Sequence, residues 1–100
     1  MGVLSLWMIT GVKLSKNAEK DLRRIPTYVV VKLMAWIDDI RKRGVEEVKK
    51  VPGFHDEPLR GTREGQRSIR LSRSYRAVYV IRSRGVVEFI QVEEVHKHEY

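Results

Sequence analysis

The chain contains no cysteine, which excludes a disulfide framework and thiolate metal sites and agrees with a reducing compartment, the cytoplasm. Long apolar runs are absent too. The opening Met1-Gly2-Val3-Leu4-Ser5-Leu6-Trp7 lacks the cationic flank and the length of a signal peptide or a membrane span, so neither export nor membrane insertion is expected. Leu6 stands where N-myristoylation needs Ser or Thr. Glycine-rich phosphate loops are missing: Gly61-Thr62-Arg63-Glu64-Gly65 has two glycines without the spacing or the following helix of a nucleotide fingerprint. Negative charge is scarce where positive charge concentrates. From Arg60 to Arg84 there are eight arginines, no lysine and a single carboxylate, Glu64.

One hundred residues with 42% apolar content make a single domain over residues 1–100, enough to bury roughly 60–70% of the unfolded chain's surface. Residues 1–7 are an N-terminal extension or an extra strand, because regular patterning begins only after Met8. A formal charge of +7 favours polyanions and speeds encounter with them. A short strand is expected over Ile9–Leu14. Ser15 or Asn17 then caps a helix with Ala18, Leu22 and Ile25 on one face, and Pro26 ends it. A second helix is expected from Thr27 to Arg43, with Val30, Leu33, Met34, Ile37 and Ile40 as its buried stripe and Gly44 as its stop. Residues 45–50 add a helical turn, and a loop marked by Pro52, Gly53 and Pro58 runs to about Gly65. Three strands follow, near 66–71, 75–82 and 86–95, joined by Ser-Arg-Ser and Ser-Arg-Gly turns. The expected architecture is α+β, in the order β-α-α-β-β-β: a helical hairpin packed on one face of a small, mainly antiparallel sheet whose other face stays partly open.

Strand alternation sends Ser68 and Arg70 to one side and Ile69 and Leu71 to the other. Arginines recur near every third residue, at Arg60, Arg63, Arg67, Arg70, Arg73 and Arg76, and of these all but Arg63, together with His96 and Lys97, are candidates for binding an RNA backbone, since guanidinium matches phosphate through a planar fork. They cannot all share one strand face, so some serve solubility alone. Arg70 and Arg76 stand out because apolar strand residues surround them. The close of the chain, His96-Lys97-His98-Glu99-Tyr100, carries groups suited to proton transfer near neutrality. His-x-His alone, without cysteine or clustered carboxylates, gives no expected metal site and no cofactor. Glu57 lies in a proline-restricted loop three residues before Arg60. Of the aromatics able to stack on bases, Trp36 and Phe89 are assigned to the core.

Asp56-Glu57-Pro58-Leu59-Arg60-Gly61, Gly65-Gln66-Arg67-Ser68-Ile69-Arg70-Leu71, Tyr75-Arg76-Ala77-Val78-Tyr79 and His98-Glu99-Tyr100 together resemble the RelE/ParE superfamily of bacterial type II toxins. The likeness is to RelE-, YoeB- and HigB-like messenger RNA interferases, covers about residues 9–100 and implies the fold order above. It further implies metal-independent cleavage of messenger RNA in the ribosomal A site, by attack of a 2′-hydroxyl on the adjacent phosphate. By motif match, Glu57 resembles the general base, His98 the proton donor, Arg76 the phosphate-stabilising cation and Tyr100 an aromatic that places substrate; the added His96 and Lys97 leave the donor open between the two imidazoles His96 and His98. Where RelE has two lysines on the second strand, this chain has Ser68 and Arg70. Implied partners are a cognate antitoxin, messenger RNA and the ribosome with its 16S RNA, and operator DNA reached through the antitoxin. Two other functions fit the same charge pattern: a ParE-like inhibitor of DNA gyrase without nuclease activity, and a generic RNA-binding domain.

Overall fold

The computed structural model describes residues 8–97, with one layer of helices lying on a five-stranded sheet of order β1-β5-β4-β3-β2. The strands are β1 (Val12–Leu14), β2 (Glu57–Pro58), β3 (Arg67–Arg70), β4 (Tyr75–Arg84) and β5 (Val87–Lys97). Among the described residues only β1 pairs in parallel, with β5, and the remaining pairings are antiparallel. The helices are α1 (Lys16–Leu22), α2 (Thr27–Arg43) and the single turn α3 (Val45–Val48). Residues 1–7, the expected extension, lie outside the described residues.

Helix boundaries follow the local chemistry. The Ser15 hydroxyl accepts the Ala18 N–H at 2.9 Å and starts α1. Pro26 fixes the entry to α2, and Gly44, at φ +82° and ψ 157°, ends it in a conformation open mainly to glycine. The Gly44 N–H donates to the Ile40 carbonyl at 2.8 Å, and the Val45 N–H donates to Ile9, which ties this corner to the incoming chain.

The buried stripe of α2 is Val29, Leu33, Trp36, Ile37 and Ile40, rotated from the expected one. Met34 is 42% exposed, and Val30 is only half-buried. Both sides of this helix are apolar, and the larger indole decides the rotation: Trp36 is fully buried and packs its ring 5.1 Å from that of Tyr79. From the sheet, Ile69, Leu71, Ala77, Ile90, Val92 and Val95 complete this core, and Val45, Val48 and Phe54 close its end. Phe89, assigned to the core from sequence, is instead half-buried, with the Lys13 ammonium 5.1 Å from its ring. It lies on the early part of β5 beside the short edge strand β1.

Two departures from regular pairing shape the open face. The segment between Pro52 and Gly65, expected to be loop, contains the two-residue strand β2, which pairs Glu57 with Ser68 and Pro58 with Arg67. On β5 the register passes from Tyr79 opposite Val92 to Val78 opposite Glu94, so Glu93 is an extra residue in a β-bulge. Helix α1 holds that bulge: the Ser15 N–H donates to Val92, the Ser15 hydroxyl donates to the Glu93 carbonyl at 2.7 Å, and the Asp21 carboxylate accepts the Val95 N–H at 2.9 Å.

Candidate active site

Cross-strand partners share a sheet face, so the register alone assembles two rows on the side away from the helices. Glu57, Ser68, Val78 and Glu94 form the first row across β2, β3, β4 and β5. Arg70, Arg76 and His96 form the second. Between them opens a cleft of about 250 Å³ lined by Glu57, Leu59, Arg63, Ser68, Arg76, Val78 and His96. Val78 is 1% exposed yet stands apart from the main core, and it floors this cleft.

Arg76 is held from two sides. Its guanidinium donates to the Ser68 hydroxyl at 3.2 Å and lies 3.6 Å from the Glu57 carboxylate. Its side chain is 14% exposed, whereas that of Glu57 is 48% exposed, so the cation is anchored and the carboxylate reaches toward solvent. His55, the one described residue other than glycine with positive φ, at 48°, sets its imidazole 3.7 Å from the opposite oxygen of Glu57. Behind two of the lining residues, Glu94 receives Arg63 at 3.1 Å and His96 at 3.4 Å, while the Arg63 Nε donates to Gln66 at 2.7 Å. Such an arrangement offers a solvated carboxylate, an anchored guanidinium and an imidazole within one cleft. That set is suited to proton transfer beside an anion. Among the described residues no group of three or more His, Asp or Glu is placed to hold a metal ion.

Of the residues expected from sequence, Glu57, Arg76 and His96 meet in the cleft, and Arg70 stands exposed beside Arg76. Arg67 does not join them. It pairs with Tyr79, shares the core-facing side with Ile69, and donates to the Asp56 carboxylate at 2.6 Å. The period of two that sends Arg70 outward sends Arg67 toward the helices, where Asp56, its side chain 1% exposed, also accepts the Tyr79 hydroxyl at 2.5 Å. Burial, then the bond to Asp56, pushes the Tyr79 phenol far above its ordinary range. Arg60, Arg73 and Lys97 are exposed and line no part of the cleft. His98 and Tyr100 lie outside the described residues. Sequence reasoning missed Ser68, Arg63, Glu94 and His55 as site residues. A signal existed for Glu94: the order Ile90-Gln91-Val92-Glu93-Glu94-Val95 breaks strict alternation where the bulge occurs.

A larger depression, about 520 Å³, runs along α1 between Lys16, Asn17, Glu19, Lys20 and Arg23. Its walls are long side chains of a single short helix, with no acid–base pair converging on it. No helix among the described residues is long and apolar enough to cross a membrane.

No protein-family profile and no curated protein matches the sequence. Solved structures do match. A YoeB/ParE toxin from Agrobacterium tumefaciens superposes with a TM-score of 0.64 at 21% identity, covering 89% of this chain and 99% of that one. The RelBE2 toxin–antitoxin complex from Mycobacterium tuberculosis gives 0.62 at 20% identity, over 89% and 96%. A YafQ variant from E. coli gives 0.66 at 16% identity, over 86% and 90%. At these identities the likeness is one of fold: this chain has the RelE/ParE-like toxin fold.

Proposed function

We propose that this chain is the toxin of a type II toxin–antitoxin module and acts as a metal-independent endoribonuclease on ribosome-bound messenger RNA. One observation carries the reading: Glu57 and Arg76 lie 3.6 Å apart and line the same cleft as His96. A generic RNA-binding face has no use for a carboxylate among its cations, because it repels phosphate. A base for the 2′-hydroxyl does.

In this reading the 2′-oxygen attacks the adjacent phosphorus and gives its proton to Glu57. Arg76, held by Ser68, faces the charge that accumulates on the phosphorane oxygens. The 5′-oxygen departs with a proton from an imidazole at the end of β5, leaving a 2′,3′-cyclic phosphate and a 5′-hydroxyl. By resemblance that imidazole is His98 or His96, with Tyr100 placing the substrate. Exposed Arg70, Arg60, Arg73 and Lys97 guide the RNA, and with base, acid and cation all supplied by side chains the reaction calls for no cofactor. A cognate antitoxin is the expected partner, as in the RelBE2 complex; operator DNA is reached through it, and the site of action is the cytoplasm.

Inducing the protein without its antitoxin is expected to stop growth and leave cut transcripts, which primer extension on cellular messenger RNA detects. Glu57→Gln lowers cleavage by about 10²–10⁴ and Arg76→Ala by about 10²–10³. Intact transcripts beside arrested replication would overturn the nuclease reading in favour of a ParE-like gyrase inhibitor.

A further inference from the structure

We propose that His96 is the proton donor of this cleft, and that Glu94, neutralised by Arg63, is the residue that positions it. The inference rests on the nuclease reading above and decides between the two imidazoles, His96 and His98, that the resemblance leaves open. Three observations support it. His96 pairs with Arg76 across β4 and β5, so imidazole and guanidinium stand side by side in one row facing the cleft. Its Nε2 lies 3.4 Å from Glu94, and its Nδ1 lies 3.2 Å from the Lys97 carbonyl. Both ring nitrogens thus face oxygen atoms, which fixes the orientation of the ring beside Arg76.

Charge around the cleft explains why a second carboxylate is tolerated next to its lining residues. Glu94 bonds Arg63, which Gln66 holds in turn, while Glu57 faces Arg76 and His55. Two carboxylates set against two guanidiniums leave Arg70 as the surplus cation that meets a phosphate, with the His96 imidazole in the same row. Arg63 is therefore assigned as the counter-ion of Glu94. In the reaction the P–O5′ bond breaks as the 2′-O–P bond forms. The 2′ proton goes to Glu57, and the ring proton of His96 goes to the leaving 5′-oxygen while Glu94 keeps the other N–H oriented.

The test replaces the scissile 5′-oxygen by sulfur in a short message on the ribosome, because a thiolate departs without a proton donor whereas an alkoxide does not. His96→Ala is expected to cut the oxygen linkage about 10²–10⁴ more slowly and to regain most of that loss on sulfur. Glu57→Gln stays slow on both linkages. Glu94→Gln is expected to lower kcat about tenfold with KM unchanged, and to be relieved by sulfur as well. His96→Ala cutting the oxygen linkage at the wild-type rate, or remaining equally slow on sulfur, overturns the assignment. So does sulfur rescue in His98→Ala instead. If the wild-type protein on the ribosome cuts neither linkage, the nuclease reading itself fails, a result distinct from any of these.

Discussion

Removing the Asp56 carboxylate is expected to cost the fold about 4 kcal/mol while leaving the chemistry of the cleft alone. The Arg67 Nε lies 2.6 Å from Asp56, and the Asp56 side chain is 1% exposed. At an effective dielectric near 20 a pair at that distance attracts with about 6 kcal/mol, most of which desolvation offsets. The intact pair is thus worth little against an apolar pair of the same shape. Its half-removal is costly. Asp56→Ala leaves a guanidinium with no counter-ion, typically 3–5 kcal/mol, here near the lower end of about 3 because the Arg67 side chain is 27% exposed. It also strips the Tyr79 hydroxyl of its acceptor, about 1 kcal/mol more. Out of a total stability of about 5–15 kcal/mol this is a large fraction. Equilibrium urea unfolding reads it as a midpoint lowered by about 2–3 M at a slope near 1.5 kcal/mol per M. Asp56→Asn, which keeps the shape and one acceptor, is expected to lose about half as much. A loss under about 1 kcal/mol in Asp56→Ala would refute the argument. So would an Arg67→Ala protein of wild-type stability and weakened RNA affinity, which would return Arg67 to the nucleic-acid face.

Three further outcomes are expected. Above pH about 10 the unfolded chain releases the Tyr79 proton while the native state keeps it, so stability falls by up to about 1.4 kcal/mol per pH unit; Tyr79→Phe should lack that part of the alkaline slope in urea melts. Arg70→Ala should weaken RNA binding and lower the slope of log affinity against log salt by about 0.7, the amount of one single-strand phosphate contact, without altering the melting temperature. Gly44→Ala should cost about 1–3 kcal/mol through the backbone alone, because at φ +82° the added Cβ would meet nothing nearer than 3.6 Å. If the glycine conformation is immaterial, its thermal midpoint will match wild type.

Much of this fold was legible from sequence because local chemistry and global packing agree. Ser15 caps α1, and α2 spans Thr27 to Arg43 up to the Gly44 stop, as expected. Alternation assigned Ile69 and Leu71 to the core and Ser68 and Arg70 to the open face. The misreadings share one physical origin: tertiary partners chose between local options of similar merit. Trp36 was rightly assigned to the core, but the helical stripe was drawn through Val30 and Met34, and burying the indole against Tyr79 turns Met34 outward. Arg67 looked like its neighbours until buried Asp56, distant by one loop, claimed it. The strand β2 has two residues, one of them proline, too short for any periodicity to announce. Of the candidate site, Glu57 and Arg76 were reachable by motif. The Arg63–Glu94 contact was not, because it joins residues far apart in the chain through a register that the bulge resets.

The cleft is built from the sheet's most unequal members. Arg76 rides on a ten-residue strand flanked on both sides and His96 on an eleven-residue one, whereas Glu57 hangs from a two-residue strand at the rim. Fraying at the rim is the cheapest local opening such a sheet allows. The cationic wall is consequently fixed, while Glu57 stands on the part of the sheet that opens first, tethered there by its buried neighbour Asp56.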